Sequence, residues 1–236
     1  MSGQAAGPRR AFYVRRAGRP LRTGARALLR DLLPKLAIEL PPPGGLLDPA
    51  ALFAAPARPL WLEIGFGAGE HLAWQAARHG EVGLIGAEVF VQGVARLLSR
   101  VDQAGLTNVR IYRGDAQDLL AALPPGALSR VFVLFPDPWP KKRHHKRRIV
   151  RRDILDRLAE TMCDEAELRL ATDDMDYAAW MLERLRPHPA FEWLARGPGD
   201  WRARPEDWPP TRYEAKALEQ GRQPVYLAFR RRAREG

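Results

Sequence analysis

A single carboxylate, Asp137, stands in a segment that is otherwise rich in proline and positive charge. Residues 135–148 read FPDPWPKKRHHKRR, so Asp137 lies between two prolines and precedes a run of lysine, arginine and histidine. Proline fixes φ, and prolines at 136, 138 and 140 predict a stiff loop. A rigidly held carboxylate could accept a hydrogen bond from a nucleic-acid base or stabilise a cation. The alternatives for Asp137 are a helix cap and an ion pair with the basic run.

The rest of this segment predicts a polyanionic partner. Residues 141–152 hold eight lysines or arginines and no acid. Each cation that contacts a phosphate contributes salt-dependent affinity, so the run is typical of a surface that binds a nucleic-acid backbone; the alternative is a solvated charged face. Trp139 could stack on an unpaired base or fill hydrophobic space as a plug. Adjacent His144 and His145 among cations form a poor metal site, and no metal is expected.

A glycine-rich segment, LEIGFGAGE at residues 62–70, indicates a second site. Glycines at the end of a strand let the backbone turn tightly and approach a ligand. A dinucleotide site favours G-x-G-x-x-G and places a pyrophosphate at the start of the following helix. Here the spacing is G-x-G-x-G, and Glu70 would repel a pyrophosphate at that position. The segment therefore predicts a nucleoside ligand without phosphates.

Three acids end consecutive predicted strands. Glu63 belongs to the first strand, Glu88 ends the second and Asp115 ends the third. In a parallel α/β sheet these ends meet at one edge, where Glu88 would accept from ribose hydroxyls and Asp115 would lie near an adenine. Each acid alone could be a helix N-cap or a solvated loop residue. Together with the glycine loop they predict a nucleoside cofactor, and S-adenosylmethionine fits best because it combines ribose, adenine and a cationic amino acid part.

The elements that must position these residues alternate between strand and helix. Apolar runs predict strands at 58–66, 82–89, 108–114, 129–135, 167–173, 191–195 and 224–230. Helical periodicity occupies 69–79, 91–104, a short stretch up to 123, 149–162 and 175–185. This alternation predicts a doubly wound, mostly parallel α/β sheet of seven strands with helices on both faces, a Rossmann-like architecture. The PPPGG segment at 41–45 predicts a boundary between a basic N-terminal extension, 1–45, and one domain, 46–236.

The composition agrees with a globular, strongly basic protein. The chain has 236 residues, 46% hydrophobic and 28% charged residues, and a formal net charge of +10. It contains no apolar run of membrane-spanning length and one cysteine, Cys163, expected to be a packed spectator in a reducing cytoplasm. Residues 1–30 hold eight arginines and no acid. A transit peptide is disfavoured there because serine is almost absent and no amphipathic stripe develops.

These segments resemble the bacterial tRNA (guanine-N7-)-methyltransferases, a family of class I S-adenosylmethionine-dependent methyltransferases. The matching segments are LEIGFGAGE (62–70), GAEV (86–89), GLTNVRIYRGDA (105–116), FPDPWPKKRHHKRR (135–148), LRLATDDMDYAAWM (168–181), TRYEAKALEQG (211–221) and FYVRRAGR (12–19). Many methyltransferases share the glycine loop, whereas FPDPW with its basic run and TRYE are more specific. The resemblance implies methyl transfer to N7 of a guanosine in tRNA, guanosine 46 of the variable loop, giving 7-methylguanosine.

The resemblance also implies roles for individual residues. Asp137 is the implied catalytic acid, and the implied cofactor-binding residues are Glu63, Gly65, Gly67, Glu88, Asp115 and Asp137. The implied tRNA contacts are Lys141, Arg143, His144, His145, Lys146, Arg147, Arg148, Asp173, Thr211, Arg212, Tyr213 and Glu214. Thr211 and Glu214 also have the spacing of a capping box, and both roles can hold. The family commonly has histidine at position 140 and asparagine at 145, so Pro140 and His145 leave the loop geometry open.

Other functions predict different features. A methyltransferase acting on an exocyclic adenine amine would have a short Asp/Asn–Pro–Pro–aromatic motif, whereas this chain has Asp–Pro–Trp–Pro with a basic run attached. A non-enzymatic RNA-binding protein of the same fold would lack the acids at the strand ends. A nicotinamide-dependent oxidoreductase is disfavoured by the glycine spacing. The predicted partner is tRNA, with no membrane, and the protein is expected to be a monomer or a homodimer.

Overall fold

The computed structural model describes residues 20–53 and 59–234. The FYVRRAGR segment at 12–19, one of the segments that carry the family resemblance, lies outside the described residues. No helix in the described ranges has the length and apolar character that crossing a membrane requires.

The described residues form one seven-stranded sheet. Its strands are β1 (Leu60–Ile64), β2 (Gly83–Ala87), β3 (Val109–Tyr112), β4 (Leu128–Leu134), β5 (Met162–Thr172), β6 (Phe191–Trp193) and β7 (Val225–Arg231). The strand order is β3-β2-β1-β4-β5-β7-β6, and only the pairs that include β7 are antiparallel within this sheet. The predicted mostly parallel α/β sheet is confirmed. The order reverses between β1 and β4, which is where ligands bind in open α/β sheets.

The helices of the described ranges cover both faces of the sheet. They are α1 (Thr23–Asp31), α2 (Leu33–Leu36), α3 (Glu70–Arg78), α4 (Val91–Ala104), α5 (Ala116–Ala122), α6 (Arg152–Thr161), α7 (Met175–Leu185), α8 (Gly199–Arg202) and α9 (Arg212–Glu219). The predicted span of α4 is confirmed to the residue. β5 starts five residues before its predicted start. The prediction missed these residues because exposed Asp164 and Glu165 interrupt the apolar pattern that indicates a strand.

Two hydrophobic clusters flank the sheet. Leu62 and Val131 face the cluster that contains residues of α5, α6 and α7. Trp61 and Phe132 face the other cluster, which contains residues of α3 and α4 and is closed by Trp208. Neighbouring residues of one strand thus enter opposite clusters, as the alternation of side chains in a strand requires. With both faces covered, the strand ends are left as the place where polar residues can meet a ligand.

The segment before the PPPGG sequence packs on the β3 edge of this sheet. Helix α1 contacts α4, and Leu28 and Leu29 pack against the cluster there. The backbone N–H of Ile38 donates to the carbonyl of Ile111 at 2.9 Å. Residues 23–38 therefore add to the core, while the division of the chain at residue 45 stays a prediction.

Candidate active site

A cavity of about 720 Å³ opens at the carboxyl ends of β1 to β4. Its walls come from the glycine loop, the ends of β2 and β3, the segment after β4, and the start of α9. The predicted site residues that line it are Gly65, Gly67, Glu88, Asp115, Asp137, Lys146, Arg147, Arg212 and Tyr213. The topology thus brings together residues that lie up to 148 positions apart in the sequence, from 65 to 213.

The glycines of the loop after β1 have backbone conformations that side chains rarely adopt. Their φ angles are +72° at Gly65, +57° at Gly67 and +69° at Gly69. Apart from Gly65 and its two chain neighbours, no atom of the described residues lies within 4 Å of the place where a Cβ on Gly65 would stand, so the loop leaves open space there. A Cβ on Gly69 would lie 2.6 Å from a methyl carbon of Leu97. The first glycine therefore presents backbone to a ligand, and the third lets α4 pack closely.

Glu88 holds the glycine loop to the start of α4. One carboxylate oxygen accepts from the N–H of Gly67 at 2.9 Å, and the other accepts from Val89 at 2.8 Å and Phe90 at 2.9 Å. Burial raises the pKa of Glu88, these hydrogen bonds partly oppose the rise, and the nearby negative charge of Asp137 adds to it. The carboxylate both shapes the loop and faces the cavity.

Asp115 caps α5 at the cavity wall. Its side chain accepts from the backbone N–H of Gln117 at 3.0 Å and lies 3.3 Å from the Gln117 amide nitrogen. The N-cap that the sequence offered as an alternative is therefore present. Arg151 donates to the Gln117 amide oxygen at 2.8 Å, and both residues line the cavity. The sequence did not single out Gln117 or Arg151, because their contact spans 34 positions and belongs to no local motif.

Glu63 lies behind the glycine loop and is not among the residues that line the cavity. Its carboxylate is 2.8 Å from Nδ1 of His71, and both side chains are buried. The Gln75 amide nitrogen donates to the carbonyl of Asp207 at 2.8 Å and lies 3.1 Å from Nε2 of His71. Nε2 is thus the acceptor, and the proton on Nδ1 is donated to Glu63. The assignment of Glu63 as a cofactor ligand stays a prediction.

The segment from Phe135 to Pro140 is strained as well as stiff. Phe135 and Trp139 have φ angles of +48° and +46°, and each precedes a proline. Such conformations cost about 1–3 kcal/mol each and persist only where surrounding contacts impose them. One such contact is the Arg148 guanidinium, which donates from Nε to the carbonyl of Pro138 at 2.7 Å.

Arg148 corrects the prediction that the whole basic run faces RNA. Its side chain is 1% exposed, forms an ion pair with Asp176, and places its guanidinium carbon 4.8 Å from the ring centroids of Tyr177 and Trp180. A side chain buried in this way cannot contact a phosphate. Arg148 instead ties the strained segment to α7, because its guanidinium contacts both the Pro138 carbonyl and the Asp176 carboxylate.

The carboxylate of Asp137 has no protein partner among the described residues. Within the described ranges it accepts no hydrogen bond and forms no ion pair, so neither the helix cap nor the ion pair with the basic run is present. The side chain is accessible from the cavity, yet the concave wall around it removes hydration and raises the pKa of Asp137. An accessible carboxylate that is held by a rigid backbone and lacks a partner can accept a ligand N–H or stabilise a cation.

The basic run is divided between aromatic contacts and solvent. The Arg147 guanidinium lies 4.8 Å from the Trp139 ring centroid, and the His144 ring meets Trp139 edge-on at 5.9 Å. His145 packs against Trp180 at 5.1 Å. The exposed cations of the run are Lys141, Lys142, Arg143 and Lys146. Trp139 therefore lines the cavity with one face already covered.

The TRYE segment contains the predicted capping box, and two of its residues line the cavity, while their contact with tRNA stays a prediction. Thr211 and Glu214 form the capping box of α9, and Glu214 also accepts from the Tyr226 hydroxyl at 2.6 Å. Arg212 and Tyr213 project into the cavity wall instead, and the Arg212 N–H donates to Glu70 at 3.3 Å. The cap residues flank the cavity residues, so one helix start serves both purposes.

Asp173 lies at the end of β5, outside the residues that line the cavity. Its carboxylate forms an ion pair with Arg222 at 3.1 Å. The predicted contact of Asp173 with the substrate stays a prediction.

Replacing Arg148 by leucine should lower the free energy of unfolding by about 2–3 kcal/mol, because the Pro138 carbonyl loses a buried charged donor. Asp176→Asn should cost clearly less, since Asp176 is largely exposed and its ion pair is screened by solvent. Urea denaturation measures both values. Equal effects of the two substitutions would contradict the role of Arg148 in holding the strained segment.

Known proteins are similar to this chain in sequence and in fold. A family model described as "Putative methyltransferase" matches residues 57–227. The tRNA (guanine-N(7)-)-methyltransferase of Rhodospirillum rubrum is 55% identical over 94% of this chain and 88% of its own. The protein of the same name from Paramagnetospirillum magneticum is 49% identical over 99% of this chain and 98% of its own. A solved rRNA methylase from Streptococcus thermophilus shares the fold, with a TM-score of 0.51, 12% identity, and coverage of 74% of this chain and 87% of that one.

Proposed function

This chain belongs to the tRNA (guanine-N(7)-)-methyltransferase family, and from that premise we propose that it transfers a methyl group from S-adenosylmethionine to N7 of a guanosine in tRNA. The observation that carries the proposal is the accessible carboxylate of Asp137, which has no protein partner in the described ranges and shares a cavity with the glycine loop. The product is 7-methylguanosine, and the target is guanosine 46 of the variable loop. A cytoplasmic location belongs to the same proposal.

The residues present suit S-adenosylmethionine as the methyl donor. Gly65 leaves open space beside its backbone, and the carboxylates of Glu88 and Asp115 face the same cavity. At the start of α3, Glu70 lies where a dinucleotide would place its pyrophosphate, and it accepts from Arg212. Acids that can accept from ribose and amine groups therefore surround the glycine loop, and a carboxylate occupies the phosphate position.

S-adenosylmethionine supplies, when bound, a methyl group on a positively charged sulfur. Guanine N7 carries a lone pair and no proton, so this chain needs no general base at that atom. What it must supply is position and electrostatic stabilisation, which commonly account for most of an enzyme's rate acceleration. Asp137 can supply the electrostatic stabilisation, because methylation leaves the base with a positive charge beside a carboxylate that is free to interact with it.

A second role for Asp137 is to orient the base. Its two oxygens can accept from N1–H and N2–H of guanine, which adenine lacks as a pair. The stiff segment that holds Asp137 suits either role, because both need a carboxylate at a defined place. In the orienting role, the same residue would contribute to the choice of guanine.

The proposed function is tested by incubating the protein with labelled S-adenosylmethionine and bulk tRNA, followed by digestion and mapping of the labelled nucleoside. We expect 7-methylguanosine at position 46. Label in an adenosine would favour an exocyclic-amine methyltransferase and contradict the proposal, as would a tRNA that acquires no label. A tRNA with guanosine 46 replaced by adenosine is the matched control and should stay unlabelled.

The exposed cations predict how tRNA binding depends on salt. Replacing Lys141, Arg143 and Lys146 together by alanine should reduce the slope of log Kd against log salt by about two to three, because fewer counterions are released. Lys35→Ala is the control, since Lys35 is exposed but lies on α2 at the β3 edge. Fluorescence titrations over a series of salt concentrations give the slopes. An unchanged slope in the triple variant would exclude phosphate contacts by these residues.

A further inference from the structure

Phe135 and Tyr213 form an aromatic pair on the wall of the cavity. Their ring centroids are 6.4 Å apart and their planes differ by 16°. This separation is near the upper end of the ~4.5–7 Å range for direct ring contacts, so the pair is loosely stacked. Asp137 lies two residues after Phe135 on the same wall. Nearly parallel ring faces and a carboxylate without a partner in the described ranges are therefore presented to one ligand space.

The backbone holds both rings in place. Phe135 follows β4 with a φ of +48°, and its N–H donates to the carbonyl of Ala171 at 2.8 Å. Tyr213 is the second residue of α9, whose start is held by the capping box and by the contact between Arg212 and Glu70. The Tyr213 side chain is nevertheless 44% exposed. A strained backbone and an exposed large ring are both features that a binding site can account for.

Trp139, which follows Phe135 on the same wall, is less suited to contact a base. One face of Trp139 is covered by Arg147. A cation, Arg212, also lies near Tyr213, with its guanidinium carbon 5.0 Å from the ring centroid. The charge of Arg212 is only partly offset, because Glu70 lies 4.0 Å from it and also pairs with Arg100 at 3.4 Å. Phe135 has no cation over its ring in the described part of the chain, and Tyr213 faces it across the cavity wall.

We propose that Phe135 and Tyr213 are the aromatic walls of the target-base site, and that their π faces stabilise the positive charge that methylation places on the purine. This inference rests on the proposed function. In that reaction the N7 lone pair forms the bond to the methyl carbon, and the electrons of the breaking carbon–sulfur bond stay on sulfur. Sulfur thus becomes neutral and the purine becomes cationic, with no proton transferred at N7.

The rings of Phe135 and Tyr213 stabilise the transition state more than they stabilise the bound substrate. Guanine is neutral when it binds, and an aromatic face attracts a cation more strongly than a neutral ring. An interaction that grows as the charge develops raises kcat and leaves substrate affinity little changed. Removing one ring should therefore lower kcat about tenfold while the Kd for tRNA stays within about threefold.

The test compares the binding of two probes, 7-methylguanosine and guanosine, measured by calorimetry with the full chain. The wild type should bind 7-methylguanosine about tenfold more tightly, and Phe135→Leu and Tyr213→Leu should each lose most of this preference. Tyr213→Phe, which keeps the ring, should retain it. Leucine preserves apolar packing at Phe135, and unchanged thermal unfolding would confirm that each variant is folded. The inference is overturned if the wild type shows no preference or if the leucine variants keep it.

This outcome is separable from that of the proposed function. If tRNA acquires 7-methylguanosine but the wild type shows no preference for the methylated probe, the aromatic walls are wrong and the function stands. If the preference depends on both rings but no N7 label appears in tRNA, the site for a flat cation stands and the proposed function fails.

Discussion

Replacing Asp137 by asparagine should lower kcat for methyl transfer about a hundredfold or more, while the Kd for tRNA changes less than about threefold. Asparagine has nearly the same shape but no charge, so it cannot offset the positive charge that develops on the base. Because Asp137 has no hydrogen-bond or ion-pair partner in the described part of the chain, its substitution breaks no contact there. Single-turnover kinetics with saturating tRNA, combined with binding titrations, separate the two quantities.

The stability of the Asp137→Asn variant provides an independent check. Partial desolvation by the cavity wall raises the pKa of Asp137 above its usual value although the side chain stays accessible, so the folded state binds the proton more tightly than the unfolded state does. The charged carboxylate therefore costs stability as the pH rises from the ordinary carboxylate pKa through the raised one. At neutral pH the asparagine variant should be at least as stable as the wild type, as measured by thermal unfolding of both proteins over a series of pH values.

A matched control for this experiment is Asp102→Asn, which changes the same group on the exposed side of α4. Its kcat should equal that of the wild type. If the Asp137 variant keeps kcat within about threefold of the wild type, neither charge stabilisation nor orientation of the base by Asp137 can be correct. A variant that unfolds would contradict the expectation that the substitution breaks no contact.

Replacing Gly93 by alanine should raise the Kd for S-adenosylmethionine more than about tenfold and lower the free energy of unfolding by about 1–3 kcal/mol. A Cβ on Gly93 would lie 2.2 Å from the carbonyl oxygen of Gly67 and 3.4 Å from a side-chain carbon of Glu88. Since the first distance is far below van der Waals contact, α4 or the glycine loop must move. Either movement disturbs the hydrogen bond between Glu88 and Gly67 that shapes the loop. Calorimetry measures the affinity, and urea denaturation measures the stability.

Gly24→Ala is the control for a glycine-to-alanine change within a helix. Gly24 lies in α1, and apart from its chain neighbours and the backbone of its own helix no described atom lies within 4 Å of the point that an alanine methyl would occupy. Alanine should therefore be neutral there or should stabilise the protein by up to about 1 kcal/mol. Cofactor affinity should not change. Wild-type affinity in the Gly93 variant would show that the close approach of α4 does not determine the shape of the glycine loop.

Much of the site could be predicted because it depends on strand order. Parallel strands present their carboxyl ends at one edge, so acids at the ends of successive strands must lie near one another. Glu88 and Asp115 line the cavity for this reason. The capping box of Thr211 and Glu214 was equally predictable, since a helix start is decided by residues three positions apart.

Long-range contacts limited the rest of the prediction. In the sequence, Arg148 is one more cation of the basic run. In the structure, its partners are the carbonyl of Pro138 and the side chain of Asp176. In the sequence, Glu63 is one of three acids at the ends of predicted strands. In the structure, a hydrogen bond with His71 holds it behind the glycine loop. For both Arg148 and Glu63, the sequence gives the charge of the side chain and its position in a strand or loop. How deeply the side chain is buried depends on which other elements pack over it.

The sequence by itself determined the alternation of strands and helices, the edge of the sheet where the acids collect, and the stiffness of the segment around Asp137. Periodicity, turn residues and proline geometry act over a few positions, so they can be read without a fold. Only the tertiary structure decided which cations face solvent, that Asp137 has no partner in the described ranges, and that Tyr213 meets Phe135 across 78 positions. These outcomes depend on how separate elements pack, because burial and pairing are properties of the assembled chain.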